Sequence, residues 1–133
     1  MRYFSIKELC RSSKANKLGI DNAPTNSVVD SLTRLVDVVL DPLREAYGNP
    51  IIVNSGYRCP ELNRAVGGAR NSQHTKGEAV DITVGSREGN KWLFDYIKNN
   101  LPFDQLIDEY NYSWVHVSLD TNMCNRREII HER

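Results

Sequence analysis

Two alternating runs near the end of the sequence, FDQLIDEY (103–110) and WVHVSL (114–119), are separated by Asn111 to Ser113 alone. A link that short joins antiparallel strands, because parallel neighbours need a crossover of about a dozen residues or more. The pair therefore reads as a hairpin, and its side-chain period of two divides the chain into faces. On WVHVSL, Trp114, His116 and Ser118 share one face and Val115 and Val117 the other, which is the face suited to a core. AVDITV (79–84) reads as a further strand with Val80 and Ile82 inward and Asp81 and Thr83 opposite. An imidazole and a carboxylate thus project from one side of a small sheet.

Helical spacing fills in the other layer. Val28, Val29, Leu32, Leu35, Val36, Val39, Leu40 and Leu43 form one apolar stripe, the signature of a core helix. Asp41-Pro42 either kinks that helix or restarts a turn, and Gly48 ends it. Trp92, Leu93, Tyr96 and Ile97 mark a second amphipathic helix ending near Pro102. Ile51 to Val53 is a short β-branched run stopped by Asn54-Ser55-Gly56, Pro60 to Val66 supplies one or two helical turns, and Gly67 to Gln73 is a loop. Residues 1–27 are expected to be an N-terminal arm and loop, and 120–133 a polar tail. The expectation is one α+β domain over 1–133, with a small, mostly antiparallel sheet, helices on one face and a cleft on the other.

Charge and cysteine usage exclude several functions. Lys plus Arg number 17 and Asp plus Glu number 17, so no basic field exists to hold nucleic acid. Cys10, Cys59 and Cys124 are far apart and form no C-x-x-C, which reads as free thiols. No stretch approaches the ~20 apolar residues of a membrane span, and MRYFSIKELC lacks a signal peptide's apolar run, so the chain is expected to be made in the cytoplasm without a leader. Gly67-Gly68 lacks the Lys-Ser/Thr of a phosphate loop and reads as a turn.

The chemistry gathers at the imidazoles. His74 precedes Asp81 by seven residues, through a Gly77 that permits a turn back toward the strand. Two histidines and a carboxylate form a catalytic zinc set that leaves one position for water; satisfied surface polar residues meet the same spacing. A general base beside that water is to be sought on the hairpin. Any even-length turn, such as Asn111-Tyr112 or Tyr112-Ser113, places Glu109 on the face of His116 and turns Asp108 away, whereas an odd turn reverses the choice. The bland alternative makes Glu109 a solvated edge charge.

SGYRCPELNRAVGGARNSQHTKGEAVDI (55–82), followed by FDQLIDEYNYSWVHVS, resembles the zinc D-Ala-D-Ala carboxypeptidase family, metallopeptidase family fifteen. FSIKEL, GIDN and VLDPLREAYGNPI extend the likeness to its small phage, prophage and bacterial members. The resemblance implies one zinc ion held by His74, Asp81 and His116, Glu109 as general base, and Arg58 as the arginine that holds a substrate carboxylate or steadies an oxyanion. It places Ser72 and Gln73 in the substrate loop, Ser72 being equally suited to a turn. Many members, including the Hedgehog signalling domain that shares the fold, carry a histidine where this chain has Trp114, which is suited to an apolar cleft wall or to simple packing. The implied protein is a monomeric peptidase of peptidoglycan stem peptides acting on the cell wall. A non-catalytic, zinc-containing binding module of the same fold is the competing expectation.

Overall fold

The computed structural model describes residues 1–132. Its sheet has five strands: β1 (Ile52–Ser55), β2 (Ala79–Thr83), β3 (Gln105–Glu109), β4 (Trp114–Ser118) and β5 (Glu128–His131). They lie in the order β1-β2-β4-β3-β5, and every pairing is antiparallel except that of β3 with β5. Val80, Ile82, Leu106, Val115 and Val117 point from one face into the core and are buried. The architecture is the expected α+β sheet.

Helices cover that apolar face. The long stripe forms α3 (Asn26–Leu35), a π turn (Val36–Leu40) and α4 (Asp41–Tyr47) without a break, capped at its start by Thr25 and ended by Gly48 in the left-handed conformation. The π turn answers the question posed by Asp41-Pro42. Proline has no N–H and its ring crowds the carbonyl four residues back, so the preceding turn widens and Asp41 donates five residues back, to Val36. After α5 (Pro60–Ala65), the helix α6 (Arg87–Asn100) adds Leu93, Phe94 and Ile97 to the same core. Each such fully buried aliphatic side chain contributes about 1.5–3 kcal/mol relative to exposure.

Two expectations are corrected. Residues 1–27 are not an irregular arm and loop: α1 (Ile6–Cys10) and α2 (Ser13–Leu18) lie there, capped by Ser5 and Ser12. Helices of five and six residues are too short to display a period, and their serine caps were the available signal. Nor is 120–133 a polar tail throughout, because Glu128–His131 adds to β3 as a parallel edge strand. Its four residues carry no alternation, and their order comes from β3's unpaired edge. Arg133, the last residue of the expected tail, lies outside the described residues.

The β3–β4 connection sets the register on which the site depends. Glu109 pairs with Trp114 and Ile107 with His116, so the turn is Tyr110–Ser113, longer than expected but still even. Tyr110, Asn111 and Tyr112 all have positive φ (49°, 58° and 65°), an unfavourable conformation for side chains of this kind. The buried Asn90 of α6 holds the turn in place, donating to the carbonyls of Tyr112 (2.9 Å) and Ser113 (3.1 Å) while accepting from Val84 N–H (2.9 Å).

At Gly56 two stretches of backbone come close together. A Cβ there would collide with the Leu9 carbonyl oxygen, the acceptor of Tyr57 N–H at 2.8 Å. Gly56→Ala is expected to destabilise the protein by about 1–3 kcal/mol through this overpacking, read as a lowered urea midpoint.

Candidate metal centre and its cleft

Three different local structures converge on one point. His74 sits on a 3₁₀ turn (Gln73–Lys76) that Ser72 opens by accepting from His74 N–H (3.2 Å). Gly77 closes that turn at φ 72°, where an added Cβ would meet the Val28 carbonyl oxygen at 2.8 Å. Asp81 and His116 face one another directly across β2 and β4. His74 Nε2 lies 3.4 Å from one carboxylate oxygen of Asp81, and His116 Nδ1 lies 2.9 Å from the other. The three donor atoms are all within 4.8 Å of one another.

This donor set fits a zinc ion. With bonds of about 2.0–2.1 Å, the edge of a coordination tetrahedron is about 3.3 Å, close to the spacing found. His74 Nδ1 is 2.7 Å from the carbonyl oxygen of Gly56, and a carbonyl only accepts, so Nδ1 carries a proton and Nε2 is the ring atom turned to Asp81, donating to the carboxylate when no metal is held and giving up that proton to bind one. His74 is 3% exposed. Burial opposes the charge on Asp81, yet hydrogen bonds from His116 and His74, with their electrostatic attraction, hold its carboxyl well below the usual carboxylate range.

The remaining expected residues surround the same cleft, whose volume is about 650 Å³. Glu109 shares the face of His116, and its carboxyl is pushed upward, first by burial and then by the charge of Asp81, against weaker opposing effects of His116 and Trp114. Asp108 points to the other face, fully buried, and pairs with His131. Arg58 lies in a segment fixed from several sides. Its N–H donates to the His74 carbonyl (3.1 Å), and Asn22 accepts from Cys59 N–H (2.7 Å) while donating to the Tyr57 carbonyl (3.0 Å). Burial lowers the pKa of its guanidinium, with Asp81 acting the other way. Ser72 lines the cleft while its hydroxyl serves the turn; Trp114 and Tyr110 lie against each other at 5.2 Å between ring centroids.

Arg58 Nε and Gln73 Oε1 are buried without a hydrogen-bond partner, and both residues line this cleft. Unpaired buried polar atoms are costly, so one donor and one acceptor are left for a polar ligand. Trp114 Nε1, also buried, is turned to its cross-strand neighbour Glu109, on whose carboxyl it acts. Cys59, by contrast, is structural: its sulfur caps α5 by accepting from Leu62 N–H (3.4 Å).

Sequence reasoning missed what aims Gln73. Its Nε2 donates to Asp104 (3.0 Å), a buried carboxylate also gripped by Arg126 through Nε (3.1 Å), Nη2 (2.9 Å) and its backbone N–H (2.8 Å). An amide turned the other way would set oxygen against carboxylate, so Asp104 directs Oε1 away from itself. Asp104 stands just before β3, outside its alternation, and Arg126 lies in the expected tail. A lone aspartate beside a strand start was the one signal.

Comparison with known proteins places these residues in context. The family described as Peptidase M15 matches residues 2–118. The zinc D-Ala-D-Ala carboxypeptidase of Streptomyces albus G is 47% identical over 49 residues, which make up 36% of this chain and 19% of that protein. The shared stretch is thus a minor part of the relative's length.

The Asp104 cluster makes its own prediction. Hydrogen bonds from Arg126 hold the folded carboxyl below its ordinary value despite burial. The ionised group therefore stabilises the fold above the unfolded value of about 3.9, and that contribution disappears as pH falls through the folded value. Asp104→Asn is expected to cost about 1–3 kcal/mol at neutral pH, and urea midpoints of variant and parent should converge as pH is lowered from 5 toward 3.

Proposed function

Because the chain belongs to the peptidase M15 family, we propose that it hydrolyses peptide bonds in the stem peptides of peptidoglycan, at a D-Ala-D-Ala terminus or at a D-Ala or L-Ala-D-Glu bond within the stem. One observation carries the reading: the His74, Asp81 and His116 donors lie within 4.8 Å of one another in a cleft whose other carboxylate, Glu109, is raised in pKa. The substrate class draws on the name of the Streptomyces relative and on the resemblance of the motifs. The reading includes one zinc ion, a monomer, and action on the wall in the manner of a phage- or prophage-type lysin.

His74, Asp81 and His116 would hold a zinc ion, which would supply Lewis acidity toward a carbonyl and toward water. The chain's own residues do the rest. Glu109, half-buried and with its proton affinity raised, accepts a proton from water at its carboxylate and delivers it to the departing amine nitrogen. Arg58, buried at Nε and held through its backbone, orients a substrate carboxylate bidentately or faces the oxyanion. Gln73 Oε1 accepts from a substrate N–H, and Trp114 closes one wall and keeps water out.

Digestion of purified muropeptides by chelated and zinc-reloaded protein, with products identified by mass spectrometry, tests this. Zinc-restored loss of a terminal D-Ala identifies a carboxypeptidase, and an internal cut an endopeptidase. Glu109→Gln is expected to retain zinc while losing at least ~10²-fold in turnover, the scale of general acid-base catalysis. Zinc-loaded, folded protein that binds muropeptides without cutting them would make the chain a binding module instead.

A further inference from the structure

The cleft does not end at Arg58. Arg58 and Val66 form a wall shared with a second pocket of about 490 Å³, within the range of ligand-sized cavities. Its far side is the junction of α1 and α2, with Arg11 and Lys14, and its floor is β1, with Asn54 and Ser55. Three cations line it and no carboxylate does. Arg11 and Lys14 are exposed and enter no ion pair among the described residues, whereas Arg126, which also lines the metal cleft, is paired with Asp104. In a chain with 17 basic and 17 acidic residues, such a one-signed concavity is a local excess of positive potential that an anion relieves.

We propose that this pocket is a carboxylate subsite, receiving an acidic group of the peptide on the far side of Arg58 from the metal centre. The inference rests on the peptidase reading for its ligand. The pocket adjoins the chemistry: Ser55 of the pocket pairs across the sheet with Asp81 of the metal set. An extended peptide advances about 3.3–3.6 Å per residue, so a peptide lying in both cavities places its acidic residue within a few positions of the bond being cut. Arg58, facing both cavities, aligns the peptide between them.

The probes are two stem peptides that differ at one group, the first carrying the free α-carboxylate of its D-Glu and the second an amide there. Binding to zinc-reloaded, full-length Glu109→Gln protein is measured by calorimetry, and cleavage by the parent protein separately. The free acid is expected to bind about tenfold tighter, and raising NaCl from about 0.05 to 0.5 M should shrink that margin because exposed charges are screened. Arg11→Met with Lys14→Met should abolish the preference and leave amide binding unchanged; Lys14→Glu should reverse it. Equal affinity for acid and amide, or equal weakening of both by the double substitution, overturns the subsite. Preference without cleavage by the parent would sink the peptidase reading and leave the subsite standing, and cleavage without preference would do the opposite.

Discussion

The cross-strand pairing of Asp81 with His116 is the contact on which the rest of the molecule turns. The pairing register assigns Val80, Ile82, Val115 and Val117 to the core and the two donors to the cleft in a single act. A slip of one residue would exchange those faces, burying an imidazole and a carboxylate under α3 and α6 and exposing four aliphatic side chains. Hydrophobic burial therefore enforces the metal geometry. The packed side of the sheet determines which atoms the polar side presents.

Outside the sheet, precision comes from close backbone approach. Gly56 lets β1 run on against α1, so its carbonyl can hold His74 and the next two residues can carry Arg58 into the cleft. The half-buried Asn22 and the buried Asn90 act in similar ways, each giving its amide to backbone groups: the first fixes the Arg58 segment, the second the strained turn after Glu109. Every residue proposed for chemistry is thus held through main chain that is itself bonded elsewhere, which limits the reorganisation required when a substrate arrives.

What could be read in the sequence follows from the range of each signal. Alternation on β2 and β4 is strong and local, so the sequence alone orients Asp81 and His116. Parity assigns Glu109 to the face of His116 only on condition of an even turn, and the four-residue turn meets that condition. The short α1 and α2, the parallel β5 and the grip of Asp104 and Arg126 on Gln73 were not legible. They rest on serine caps, a free strand edge and an ion pair between residues 22 positions apart, and none leaves a period. The positive pocket was hidden for a related reason, because Arg11, Lys14 and Arg58 are gathered only by the docking of α1 and α2 beside β1.

The two carboxylates on the cleft face carry opposite electrostatic histories. Asp81 is the more deeply buried, yet two imidazoles keep it ionised, which would suit the cation-holding role proposed for it. Glu109 has no cation so close, and burial together with the charges of Asp81 and Glu132 draws its carboxyl upward. Their environments separate the roles without any difference in functional group. In the proposed reaction, proton traffic at Glu109 would therefore leave the charge on Asp81 undisturbed, and the position of the metal set would not change as the proton moves.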